Sequence, residues 1–175
     1  AGAASMTLDP VNGISLNGWV VPPPRLKTFD IPGTTRRVTL DSDAGRLLVA
    51  LAADYDATVR PIDKGTWDEG GYNLRKARNA PRWSNHASGS AIDLNWSEEG
   101  ALNSAWGKRF FAQAKTRVAV AKIKARYGKC VQWGGDWRTL KDYMHWEIKP
   151  GTTRVQVRAL ADKLGIDDNG KRRGA

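Results

Sequence analysis

The sequence predicts an α+β fold, a single compact domain in which helices flank a small antiparallel sheet. Two observations predict it: helical and strand periodicities alternate within one chain of ordinary domain length, and the strand-like runs are short. The 175 residues are 41% hydrophobic and 26% charged, which excludes a disordered or collagen-like chain. No run approaches the roughly 20 apolar residues of a membrane helix, so membrane insertion is not expected. The single cysteine, Cys130, cannot close an intramolecular disulfide. Lys and Arg exceed Asp and Glu by 28 to 18, a net charge of +10. That excess favours polyanionic partners. The basic residues are scattered from Arg25 to Arg173 rather than gathered in one recognition helix, so no specific nucleic acid is expected.

Taken in order, Ala1 to Ser5 has the small-residue character of a tag remnant. Residues 6–34, with Pro22-Pro23-Pro24, are expected to be an extended arm with few regular elements. Nothing after Met6 combines a basic region, an apolar region and a cleavage site, so no secretory signal is expected. The main domain is expected over 35–166. From Asp41, the spacing of Ala44, Leu47, Leu48, Leu51, Ala52 and Tyr55 predicts a core helix capped by Asp41 or Ser42. Residues 60–90 are rich in Gly and Pro and read as a long irregular segment. Ile92 to Trp96 alternates as a half-buried strand, with Ile92, Leu94 and Trp96 inward and Asp93 on the polar face. A helix is predicted from Ser104 to Tyr127, with Trp106, Phe110, Phe111, Ala114, Val118 and Ala121 inward and Gly128 as a left-handed cap. Strands follow at Cys130–Trp133 and Met144–Ile148, then a helix from Thr153 to Leu164. Residues 167–175 read as a polar tail or linker.

The chemistry is legible at the two histidines. His86 and Asp93 are seven residues apart, and an extended chain of that length would separate them by roughly 23 Å. The chain must therefore fold back between them, and Gly89 allows it. In the second segment, alternation puts His145 and Glu147 on the polar face of their strand. Pairing this strand with the Ile92 strand would bring Asp93 and His145 together. Two imidazoles and one carboxylate with a fourth position open is the donor set of a catalytic zinc. Non-haem iron uses the same donors and ranks second. Asp142, three residues before His145, is placed to act as general base. Glu147 could orient a ligand from behind.

The strings Ser84-x-His86-x-x-Gly89-x-Ala91-x-Asp93, Trp133-Gly134-Gly135-Asp136-Trp137 and Asp142-x-Met144-His145-Trp146-Glu147 resemble the zinc D-Ala-D-Ala carboxypeptidase and L-alanyl-D-glutamate peptidase family, closest to its bacteriophage endolysin members. The resemblance covers about residues 40–150. It implies a sheet carrying Zn2+ on His86, Asp93 and His145, with Asp142 as catalytic acid/base. Gly71-Tyr72-Asn73-Leu74-Arg75 is similar to a segment that precedes the first zinc motif, which makes Arg75 the candidate for the substrate carboxylate or oxyanion, ahead of Arg78 and Arg60. Ser84 is a candidate substrate or ligand contact. Of the tryptophans near the motifs, Trp83, Trp133 and Trp137 are candidates to wall a groove, whereas Trp96 and Trp146 read as core.

The resemblance implies a peptidoglycan hydrolase cutting the L-Ala–D-Glu bond of stem peptides, monomeric, made in a host cytoplasm and acting on the wall after release. A D,D- or L,D-carboxypeptidase of the same family is the nearest alternative. A catalytically inactive wall-binding module is the alternative of another class.

Overall fold

The computed structural model describes residues 13–174. The expected tag remnant and the first part of the arm lie outside them, as does Ala175. The described residues form an α+β domain with five α-helices, a two-stranded hairpin and a three-stranded sheet.

The arm is where the structure departs furthest from the sequence reading. Leu26–Asp30 is a strand, β1, pairing antiparallel with β2, Arg37–Asp41, in the register Leu26 to Asp41 and Asp30 to Arg37. The expected boundary at residue 34 falls inside this hairpin. Trp19, Phe29 and Ile31 are buried in the main core. The three prolines carry no information about what the chain after them pairs with.

Helix α1, Ser42–Thr58, begins where the sequence places it. The Asp41 carboxylate accepts from the backbone N–H groups of Asp43 and Ala44, satisfying two of the donors a helix start leaves open. Its Leu47, Leu48, Leu51 and Tyr55 side chains are fully buried and form the floor of the domain.

The predicted long helix is two. Gln113 takes an extended backbone (φ −65°, ψ 135°) and separates α3, Ala105–Ala112, from α4, Ala114–Tyr127. The break resets the helical phase. Thr116, Val120, Ile123 and Tyr127 face inward in α4, while Ala114, Val118 and Ala121, expected in the core, are exposed. Gly128 closes α4 with a right-handed φ of −66° rather than the expected left-handed one.

The three-stranded sheet carries the functional segments. Its order is β3 (Ala91–Asp93), β5 (His145–Ile148), β4 (Val131–Trp133), all antiparallel. On the face toward α1, Ile92, Trp146 and Ile148 are buried, and Tyr55 meets Trp146 edge-on. The β3 strand ends earlier than expected. Asn95 turns into the left-handed region (φ 57°), and Trp96 opens the short helix α2, Trp96–Glu99, with 45% of its surface exposed rather than in the core.

A capping box at Thr153 and Gln156 starts the last helix, α5, Arg154–Lys163. Residues 167–174, expected as a tail, turn back onto α1: Ile166 bridges Arg172, and the Arg172 guanidinium lies 3.2 Å from the Asp54 carboxylate. No helix among the described residues is long and apolar enough to cross a membrane.

Candidate metal centre

Each of the three expected ligands is positioned by a different local device. His86 sits in a 3-10 turn, Asn85–Ser88, which Ser84 caps by accepting from the His86 N–H at 3.2 Å. Ser84 thus positions a ligand rather than facing open solvent. Gly89 ends the turn at φ +65°, and a side chain there would collide with the Asp41 backbone that its carbonyl binds. This is the fold-back that the spacing of His86 and Asp93 requires.

Asp93 and His145 are direct cross-strand partners in the β3–β5 register. The Asp93 backbone N–H and C=O are both used on its other side, with Gly70 (2.8 and 3.1 Å), so Asp93 and His145 form the closely spaced, non-hydrogen-bonded type of pair. Their side chains meet, with His145 Nδ1 3.0 Å from Asp93 Oδ1. His86 Nε2 lies 3.1 Å from the other Asp93 oxygen. One ligand atom from each of the three residues falls within 4.8 Å of the other two.

The outward nitrogens fix which atoms face inward. His86 Nδ1–H donates to the Gly71 carbonyl at 2.8 Å. His145 Nε2–H donates to Glu147 Oε1 at 2.5 Å, and the second Glu147 oxygen accepts from Gln132 Nε2 at 2.7 Å. Holding the far nitrogen of each imidazole with an acceptor is how proteins set the tautomer of metal-binding histidines. His145-x-Glu147 also has the tight spacing of an iron-type His–acid pair, but the glutamate sits behind the imidazole, leaving Asp93 as the carboxylate of the cluster.

These groups fit a divalent cation. His86 Nε2 is buried and makes no hydrogen bond, although it points at a carboxylate. Three candidate ligands among the described residues match the donor count of a catalytic site, whereas structural zinc sites are closed by four, commonly cysteines. Burial alone would raise the Asp93 carboxyl, but the His86 charge and the hydrogen bond from His145 outweigh it and hold the carboxyl well below the usual range. Burial would lower the His145 imidazole, and the Asp93 and Glu147 hydrogen bonds instead raise it well above 6.5.

Asp142 precedes β5, its carbonyl accepting from the His145 N–H at 3.2 Å. Burial pushes its carboxyl up to about 6; the His145 charge lowers it, Asp93 raises it, and His86 and Arg78 lower it. One of its oxygens is buried without a partner. The arginine whose field reaches Asp142 is therefore Arg78. Arg75 is exposed and its guanidinium reaches only the Lys76 carbonyl, at 3.4 Å. Arg60 lies elsewhere, paired with Glu98 and Glu99 and stacked over Trp106.

Trp137 packs its ring 5.3 Å from that of His145, while Trp133 stacks on Trp146 in the core. Cys130 is buried, its thiol 3.7 Å from the Gln156 carbonyl.

The arm supplies groups that the sequence reading missed. Ser15 Oγ shares a hydrogen bond with Ser88 Oγ (2.7 Å), Asn17 N–H donates to Asn85 Oδ1 (2.8 Å), and Asn17 Nδ2 donates to Ser90 Oγ and the Ile148 carbonyl (2.8 and 2.9 Å). This buried polar network ties the His86 turn to the end of β5. The only sequence signal was a run of small polar residues, Ser15, Asn17, Ser88 and Ser90, which is indistinguishable from loop composition.

Two imidazoles and one aspartate brought together on a small α+β sheet domain, with a neighbouring acid that has one unpartnered oxygen, form a group that could hold a metal ion. Residues 78–148, which contain all four groups, match the family model described as D-alanyl-D-alanine carboxypeptidase. The resemblance carried by the motifs therefore holds over the segment that builds the site. No solved structure matches the chain.

Proposed function

We propose that the protein is a zinc-dependent peptidoglycan peptidase, the catalytic domain of a phage endolysin that cuts the L-Ala–D-Glu bond of stem peptides after release from the host cytoplasm. The observation that carries the reading is the convergence of His86 Nε2, Asp93 and His145 Nδ1 with Asp142 beside them.

His86, Asp93 and His145 would hold the ion. Zinc at such a site supplies Lewis acidity toward a carbonyl oxygen and brings the acidity of water to a pKa of about 7. The protein's own groups do the rest. Asp142, with a buried oxygen that nothing in the fold occupies, accepts the proton of the attacking water and returns it to the leaving amine. Arg78, exposed like Arg75 but near enough for its charge to act on Asp142, is assigned to the substrate carboxylate or the developing oxyanion. Glu147 and the Gly71 carbonyl keep both imidazoles in the metal-binding tautomer. The charge of +10 suits a wall rich in anionic polymers.

Digestion of purified wall with the zinc-loaded protein, followed by mass spectrometry of the fragments, tests the reading. New D-Glu amino termini are expected, and their formation should stop with a chelator. Release of single terminal D-residues would assign a carboxypeptidase instead. Wall binding without any new termini would refute the peptidase reading.

A further inference from the structure

We infer that the exposed indole of Trp96 is a wall of the substrate groove, and that the site takes a peptide continuing on both sides of the cut bond rather than a chain end. The inference rests on the peptidase reading above and adds to it a residue and a substrate geometry.

The position of Trp96 follows from strand pairing. Gly70 and Asp93 are directly opposed in an antiparallel bridge, and directly opposed residues project to the same face of a sheet. A side chain at position 70 would therefore emerge beside the Asp93 carboxylate, on the metal-binding face. A Cβ built there would meet the Trp96 ring at 3.0 Å. The Trp96 indole fills the place of the missing side chain, and 45% of the residue is open to solvent. It is held there because Asn95 turns through a left-handed conformation and the Trp96 N–H donates to the Asp68 carbonyl at 3.0 Å.

Asp93 pairs with His145 on its other side, and the His145 ring in turn meets Trp137. The order across the face is thus Trp96, Asp93, His145, Trp137. With neighbouring strands about 4.8 Å apart, the backbone positions of Gly70 and His145 lie about 10 Å from each other. A groove with an indole on each flank of its ligands offers flat apolar surface on both sides of the reacting bond. Planar amides and sugar rings stack on such surfaces.

The test compares wild type, Trp96→Ala and Trp96→Phe, all zinc-loaded, on two substrates. One is a stem pentapeptide with an amidated C-terminus, and the other is a free dipeptide containing only the scissile bond. For Trp96→Ala, KM on the pentapeptide should rise about 3- to 10-fold, the scale of one aromatic contact, with kcat within about twofold. Trp96→Phe should recover most of the loss, and the dipeptide should show no difference between wild type and variants. Titration of the pentapeptide into metal-free protein, followed by calorimetry, should show the same weakening of Kd.

Normal wild-type cleavage with an unchanged KM in Trp96→Ala, or an equal change on both substrates, would overturn the role of Trp96 and leave the peptidase reading standing. Preference of the wild type for a free terminal carboxylate would overturn the two-sided groove. If wild type neither binds nor cleaves either peptide, both readings fall together. Should Trp96→Ala melt early, Trp96→Leu carries the comparison, since it keeps apolar bulk over Gly70 and removes the flat ring; an unchanged KM on the pentapeptide there would overturn the role of Trp96.

Discussion

Replacing Glu147 with Gln isolates the part of the site that orients a ligand without touching the metal. In the native protein the buried Glu147 carboxylate accepts from His145 Nε2–H at 2.5 Å and from Gln132 at 2.7 Å. Its charge makes the first of these a charge-assisted bond, worth about 1.5–3 kcal/mol against about 0.5–1.5 for a neutral acceptor. The amide keeps the volume and loses the difference, about 1–2 kcal/mol, or roughly 5- to 30-fold in an equilibrium constant. Part of that difference cancels in a binding measurement. The metal displaces a proton from His145 Nδ1, and Glu147 stabilises the protonated imidazole as well as the metal-bound one. Zinc affinity should therefore fall about tenfold, near the lower end of what removing such a partner costs in metal sites. Competition against a chromophoric chelator reads the affinity directly, and circular dichroism shows whether the fold persists. A folded Glu147→Gln protein with unchanged zinc affinity would refute the claim that Glu147 holds His145 for the ion.

Three further outcomes are expected. Asp142→Asn should bind zinc normally, keep its melting temperature within a few degrees and lose at least about 100-fold in hydrolysis, as removal of a general base does; full turnover at full zinc occupancy would remove Asp142 from the chemistry. Asn17→Ala should cost roughly 1–3 kcal/mol by leaving the buried Ile148 carbonyl without its side-chain donor, so an unchanged urea midpoint would show that the arm is not part of the scaffold. Burial, and then the neighbouring Asp68, push the Glu69 carboxyl up to about 7 from 4.5, so the fold holds that proton more tightly than the unfolded chain does. Its contribution is complete below about pH 4.5 and is lost as the pH rises through 7. Between pH 5 and pH 8 wild type should lose on the order of 1 kcal/mol relative to Glu69→Gln, a figure reduced for solvent screening, and parallel stability curves for the two proteins would contradict it.

Much of the candidate metal centre was legible because its residues are rare and its periodicities simple. With two histidines in the chain, alternation over Met144–Ile148 and Ile92–Asp93 was enough to put His145 and Asp93 on matching faces, and the register confirms the pairing. The Asp41 cap was legible because capping is local chemistry. The misreadings share a different cause. Trp96 continued an alternating pattern, but one left-handed residue, Asn95, ended the strand before it, and Asn is among the few side chains that tolerate that conformation. Gln113 breaks a helix that propensity alone would continue, and every inward position predicted beyond it shifts in consequence. The arm was hardest to read, since β1 is defined by a partner and the Ser15 and Asn17 contacts reach 68 or more residues along the chain. The choice between Arg75 and Arg78 depends on how an irregular loop folds, and periodicity is silent there.

X-ray absorption at the zinc edge, on protein loaded with one equivalent of zinc, tests the centre most directly. Two imidazole nitrogens with oxygen donors completing the shell are expected, with one imidazole lost in His86→Ala and one in His145→Ala. A spectrum with a sulfur ligand, or one that neither substitution alters, would place the ion elsewhere and contradict the account.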